Sequence, residues 1–355
     1  MSDGLRLPVI GRETGEAIKG MAILLMLAHH LFGLPTLIKE PASYLATVPG
    51  VPLEYWLGRF GKICVSVFLL LSGYGFAMRM AGGSALPSWR YFADKVWRFL
   101  LAYWPYFLLA WGIGLAFFQE RMANGNLRFP TDPLDIVLNA LTLRNTMAFE
   151  WWFAETYLLL VLLTRPILQA NARPVLLLSA SSLAFVAGAA MDFVRFDPSV
   201  ISFANLLIWQ WPWIIGILAA RHAGMSMPLV VSPVVAGAIL VLAVLAGFIL
   251  AELALPFAMT PFLILATPAV LLSLVWLWPG AGEGLSGRVL GWLGARTLGL
   301  WLVHPFFCYY FFQAEIFSLR YAPLVFSALL LASLAIVMPV EALRGAIAGH
   351  RAARA

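Results

Sequence analysis

A chain of 355 residues that is 62% hydrophobic and only 11% charged, with a mean hydropathy of +0.88, is not an ordinary soluble domain, which carries about a quarter charged residues. The net charge of +6 would suit a polyanionic partner, but the basic residues sit in short stretches between apolar runs, which is the pattern of membrane orientation and not of a nucleic-acid-binding face. Apolar runs of membrane length give ten expected spans, at about 17–35, 62–80, 98–118, 152–170, 175–191, 201–220, 229–251, 259–278, 289–312 and 321–340. The first is not read as a signal peptide, because no small-x-small cleavage site follows it and two histidines interrupt it. An even number of spans puts both ends on one side. Fifteen of the 23 lysines and arginines fall on that side and eight on the other, so both termini are expected in the cytoplasm. The expected fold is all-α, a polytopic transmembrane helix bundle forming a single integral-membrane domain over residues 1–355. Cys64 and Cys308 both lie in apolar runs and read as buried free thiols.

Two longer segments, 36–61 and 119–151, lie on the outer side of this topology. In the second, Asp132 reads as an N-cap, Pro133 suits the first helical turn, and Leu134, Val137, Leu138 and Leu141 form an apolar stripe. A short helix on the outer surface is expected there, with Trp151 and Trp152 marking the interface where the fourth span begins.

Chemistry concentrates in the first span, EAIKGMAILLMLAHHLFGLP. Lys19 and His30 are eleven positions apart, so on a helix they share one face, ~20° apart in azimuth and ~16 Å apart along the axis. Glu16 falls on the same side, and His29 is turned ~80° away. An ionisable side chain at bilayer depth is costly and so marks a candidate site, although a histidine pair can also be bonded into a bundle for packing specificity. His304, in LGLWLVHPFF of the ninth span, and the Ser72–Gly73 step of LLLSGYGF in the second are expected at a depth similar to His30. His304 can equally be helix punctuation before Pro305, and Ser72–Gly73 can equally be close helix packing. Arg79, Arg90, Lys95 and Arg98 cluster at the cytoplasmic end of the second and third spans. They read either as the positive-inside rule or as a docking site for a polyanionic cosubstrate. Gln210 and Asn205 can line a cavity or bond across helices. Walker-type, zinc-protease and spaced Cys/His motifs are absent, so no metal is expected.

Five segments in this order, KGMAILLMLAHHLFG, KICVSVFLLLSGYGFAM, YFADKVWRFLLAYWPYF, EWWFAETYLLLVLLTRPI and LGLWLVHPFF, resemble the membrane-bound acyltransferases of the acyltransferase type 3 family. The likeness is nearest to members that modify capsular or other cell-surface polysaccharides. It runs from about Glu16 to the end of the tenth span. The family's mark of a basic residue, ten positions and a histidine appears as Lys19 and His30, with lysine where arginine is usual. The basic residues opening the third span correspond to Lys95 and Arg98 at a somewhat different spacing. The acidic pair that many relatives carry in the fourth span has no counterpart, and Glu155 is out of register with it.

The resemblance implies transfer of an acyl group, most often acetyl, from cytoplasmic acyl-CoA to a hydroxyl of an envelope glycan or its lipid-linked precursor, in the bacterial cytoplasmic (inner) membrane. On that reading Arg79, Lys95 and Arg98 hold the phosphates of CoA, a cosubstrate rather than a tightly bound cofactor. His30 acts as general base, with Lys19 beside it in the catalytic set. His304 orients the acceptor or donates to the developing oxyanion, Ser72 and the backbone near Gly73 assist, and Glu16 and His29 line the substrate side. Direct transfer and a covalent acyl-enzyme both remain open, as does oligomeric state. The other readings are a carrier with intramembrane histidines relaying protons, and a non-catalytic partner of a polysaccharide assembly complex. The partners expected are membrane lipids, acyl-CoA and glycan, not nucleic acid.

Overall fold

The computed structural model describes residues 9–40, 42–48, 50–81, 85–122, 125–194, 198–223, 233–252, 256–278 and 280–352. The described chain is almost wholly helical. In order the helices are α1 (Arg12–Phe32), α2 (Leu53–Gly61), α3 (Ile63–Ala81), α4 (Trp89–Phe117), α5 (Pro133–Ala140), α6 (Trp152–Ala170), α7 (Pro174–Val194), α8 (Pro198–His222), α9 (Pro233–Glu252), α10 (Pro256–Leu277), α11 (Gly284–Gly294), α12 (Thr297–Pro305), α13 (Gln313–Phe317) and α14 (Ala322–Ala352). A two-residue antiparallel hairpin, β1 (Thr47–Val48) with β2 (Val51–Pro52), is the sheet found among the described residues.

Among the described residues, eight helices are long and apolar enough to cross a membrane, and they match the first six expected spans, the eighth and the tenth. The seventh expected span corresponds to α9, and its residues 229–232 lie outside the described residues. The ninth, expected as one run over 289–312, is divided into α11, α12 and a π-helix at Phe306–Tyr310. Two helices reach beyond their apolar windows. Residues Trp89–Val96 carry Arg90, Asp94 and Lys95, and Leu53–Gly61 carries Glu54 and Arg59, so both are helical yet too polar to register in hydropathy.

The fold divides into two units. The first comprises Met1–Met26, Arg59–Lys95 and Thr156–Ala295. Its core is the packing of α3 on α8. A Cβ at Gly73 would lie 2.2 Å from the Trp213 carbonyl oxygen, and one at Gly216 2.0 Å from that of Leu70, so these backbones meet where only glycine fits. Trp213 is fully buried there and donates its indole N–H to Thr164 Oγ1 at 3.0 Å. Between α7 and α8, Gln210 Nε2 donates to the Ser181 carbonyl (2.9 Å) while Ser181 Oγ donates to Gln210 Oε1 (2.8 Å). Gln210 is therefore a cross-helix bond.

The second unit comprises Leu27–Gly58, Val96–Glu155 and Arg296–Ala355. Here α5 forms as the sequence indicates, with Asp132 accepting from the backbone N–H of Leu134 and Asp135. Tyr103 and Trp104 of α4 donate to the carbonyls of Asn139 and Ala140, which fastens this short helix by its C-terminal end. Its leucine and valine stripe faces outward, and Asn139 is the residue it buries. Trp151 is buried against Tyr103 and Phe306 and donates to the Leu302 carbonyl at 3.1 Å, which holds α12 in place.

Candidate active site

The second unit gathers polar rings around the end of α1. His30 lies in the last turn of α1 and His304 near the end of α12, with ring centroids 4.7 Å apart and planes tilted by 50°. The His29 ring is 5.2 Å from that of His30, and the Tyr309 ring is 5.7 Å from it, both edge-on.

Breaks in the helices set these positions. α1 stops at Gly33, where a Cβ would come within 2.6 Å of the Gly58 carbonyl carbon, and this close approach brings His29 Nδ1 to the Gly58 oxygen at 2.8 Å. At the other break Pro305 follows His304. Proline has no N–H to continue the ladder, and the chain widens into a π-helix over Phe306–Tyr310, closed by Phe311 N–H donating to the Phe306 carbonyl at 2.7 Å. Helices widened in this way are frequent at functional sites. Here the widened turn directs two successive tyrosines to different partners. The Tyr309 hydroxyl donates to the His30 carbonyl (2.7 Å) and lies 3.0 Å from His30 Nδ1. The Tyr310 hydroxyl donates to Glu150 Oε2 at 2.9 Å and accepts from the backbone N–H of Phe149 at 3.1 Å.

The hydrogen bonds of His304 fix what it can do. Its Nδ1 lies 3.1 Å from the Leu300 carbonyl and 2.9 Å from that of Trp301. Carbonyls only accept, so Nδ1 carries the proton and the neutral ring has its lone pair on Nε2. The side chain is fully buried, and Nε2 has no hydrogen-bond partner among the described residues. A buried acceptor left unsatisfied costs about 1–3 kcal/mol, so this nitrogen suits a ligand that brings a donor. A neutral His304 cannot donate from Nε2, and the expected option of donating to an oxyanion gives way to accepting from a hydroxyl.

Glu150 is buried with 5% of its surface exposed, and Tyr310 is its side-chain donor. The Arg128 guanidinium lies 4.4 Å above the Tyr310 ring and pairs with Glu120. Glu150, Tyr309 and Tyr310 do not stand out in the sequence. Glu150 is flanked by Phe149 and two tryptophans, and the tyrosines sit in an aromatic run, PFFCYYFF. Two adjacent hydroxyls soon after an intramembrane histidine were the signal available.

The remaining candidates belong to the first unit, apart from Arg98. Lys19 Nζ donates to Glu16 Oε1 at 2.7 Å, an ion pair one helical turn apart with both side chains partly buried. Glu16 also lines a cleft of about 630 Å³ with Arg12, Glu13, Glu283 and Arg288, walled by glycines of 282–291. Arg79 and Lys95 are both exposed and share one aromatic face, the guanidinium 4.5 Å and the ammonium 5.3 Å from the Tyr91 centroid. Arg98 is exposed on α4 and falls in the second unit. Ser72 shares a hydrogen bond with Tyr157. Gly73 is inside α3, where its N–H belongs to the helical ladder and its missing side chain admits the Trp213 backbone. Its place is that of a packing residue, and its amide is no spare donor for an oxyanion.

A family model described as an acyltransferase domain matches residues 16–342, nearly the whole chain and both histidines. The chain belongs to the acyltransferase type 3 family. No curated protein and no solved structure matches it. Membership makes this chain a membrane acyltransferase, in keeping with the eight membrane-length apolar helices among the described residues. In this acyltransferase no group of three or more His, Cys, Asp or Glu side chains among the described residues is arranged to hold a metal ion.

Proposed function

We propose that this acyltransferase moves an acyl group, acetyl in the first instance, from cytoplasmic acyl-CoA to a hydroxyl of a cell-surface glycan or its lipid-linked precursor. The observation that carries the reading is the His30–His304 pair: two imidazoles with ring centroids 4.7 Å apart, that of His304 ending in a buried nitrogen with no donor among the described residues. A substrate hydroxyl supplies that donor. That hydroxyl anchors the acceptor on His304 Nε2, and a neighbouring hydroxyl of the same sugar gives its proton to His30, the half-buried and more accessible ring of the two. Its oxygen attacks the thioester carbonyl, the C–S bond breaks, and the CoA thiolate leaves with the proton held by His30. The ester forms and the imidazole returns neutral.

Arg79 and Lys95, which converge on Tyr91, suit the phosphates of the donor, since exposed cations over an aromatic ring can bind phosphate and stack a base together. Arg98 carries the same proposed role. Lys19, paired with Glu16, supports charge balance at the start of α1 in this reading. His29, whose Nδ1 donates to the Gly58 carbonyl, supports the turn that follows His30.

Mass spectrometry of envelope glycans from cells bearing wild type, His30→Ala or no protein tests the reading, with export of the glycan measured in parallel. Acylation lost in His30→Ala with export unchanged agrees with the proposal. Export lost with normal acylation favours a carrier instead.

A further inference from the structure

We infer that Tyr309 is a positioning residue that locks His30 in the tautomer with its proton on Nδ1, leaving the lone pair on Nε2. The geometry allows a single solution. The Tyr309 hydroxyl faces two atoms of one residue, the His30 carbonyl oxygen at 2.7 Å and His30 Nδ1 at 3.0 Å. A phenol has one proton. If that proton went to Nδ1, the phenol oxygen and the carbonyl oxygen would face each other at 2.7 Å with no hydrogen between them. With the proton on the carbonyl side, the phenol oxygen offers Nδ1 a lone pair, and Nδ1 must then be the donor. Only Nδ1–H satisfies both contacts.

The arrangement is local and built into the fold. The His30 carbonyl is one of the last four of α1, which have no intrahelical donor, so the phenol also caps the helix end. Tyr309 reaches it because the π-helix begins directly after Pro305. His304 is held by the same logic through the carbonyls of Leu300 and Trp301. Both rings therefore carry their proton on Nδ1 and keep Nε2 as the basic nitrogen. A neutral imidazole in water populates both tautomers, so a protein that needs a base at one nitrogen gains from fixing the other.

The inference rests on the proposed role of His30 for its consequence in catalysis, but the tautomer itself can be read without any activity. Full-length protein in micelles, labelled with 15N-histidine, reports which ring nitrogen is protonated, and His30→Asn identifies the His30 signals. The expected wild-type result is a protonated Nδ1 and an unprotonated Nε2. In Tyr309→Phe the His30 signals move toward a mixture of tautomers, kcat falls on the order of tenfold with KM for the acyl donor unchanged, and the pH–rate profile moves. A protonated Nε2 in the wild type overturns the inference, as does a Tyr309→Phe protein with unchanged His30 signals and pH profile. Should His30→Ala retain transfer while the wild-type tautomer is found as inferred, the catalytic reading fails and the tautomer lock stands.

Discussion

In the first unit the Ser72–Gly73 step interrupts an apolar helix, and in the second His304 does the same. At Gly73 the absence of a side chain is filled by the Trp213 backbone, and Ser72 is bonded to Tyr157. At His304 one ring nitrogen is satisfied by two carbonyls and the other by nothing among the described residues. Gly73 and His304 are both buried, so burial does not separate them. What separates them is leftover hydrogen-bonding capacity: a polar group whose partners are all internal holds structure, and one with a buried atom to spare can meet a substrate.

The sharpest way to break this contrast is a double-mutant cycle on the two histidines. His30→Ala should lower the rate of acyl transfer by about 10²–10⁴-fold, the usual contribution of a general base. His304→Ala should cost less, about tenfold to a hundredfold, because it anchors the acceptor sugar without taking the proton. Acting on the same acceptor sugar in the same step, they should not add, and the double variant should be no slower than His30→Ala alone. Full additivity would mean that the two rings serve separate steps.

On the packing side, Gly73→Ala should destabilise the protein in detergent by about 1–3 kcal/mol, the usual cost of overpacking. Gly75→Ala, two residues on with no atom within 4 Å of its would-be Cβ, should be neutral or slightly stabilising. Thermal unfolding of the two variants reads the difference. Equal behaviour would show that the α3–α8 contact is looser than described.

Tyr310→Phe removes the side-chain donor from buried Glu150 and should cost about 1–3 kcal/mol of stability, measured the same way. Glu150→Gln should recover part of that loss in the Tyr310→Phe background by removing the unpaired charge. The smallest effect is expected at the exposed cations. Arg79→Ala or Lys95→Ala should raise KM for acyl-CoA a fewfold, more so at low salt, with kcat unchanged. A fall in kcat without a change in KM would remove those residues from donor binding.

The membrane helices were legible in the sequence because a lipid-facing span must be a long apolar helix, and hydropathy registers little else. Asp132 as the cap of α5 was legible for a local reason, since a carboxylate before proline meets the first free N–H groups whatever surrounds it. The broken ninth span was not, because a run of leucine, tryptophan and phenylalanine looks the same whether its ladder is continuous or widened at Pro305. His30 and His304 were legible as candidates by their cost at depth, but their pairing depends on where two helices stop. Tyr309 and Glu150 were hidden by their neighbours. Their meaning lies in contacts across 279 and 160 residues of chain, which periodicity cannot carry.

The account stands or falls with His30 as the base for acyl transfer. Protein reconstituted in lipid vesicles, given acetyl-CoA labelled in its acetyl group together with an envelope-glycan acceptor, reads this directly. Label should pass to the glycan with wild type and stay on CoA with a correctly folded His30→Ala variant. Transfer by His30→Ala at the wild-type rate would contradict it.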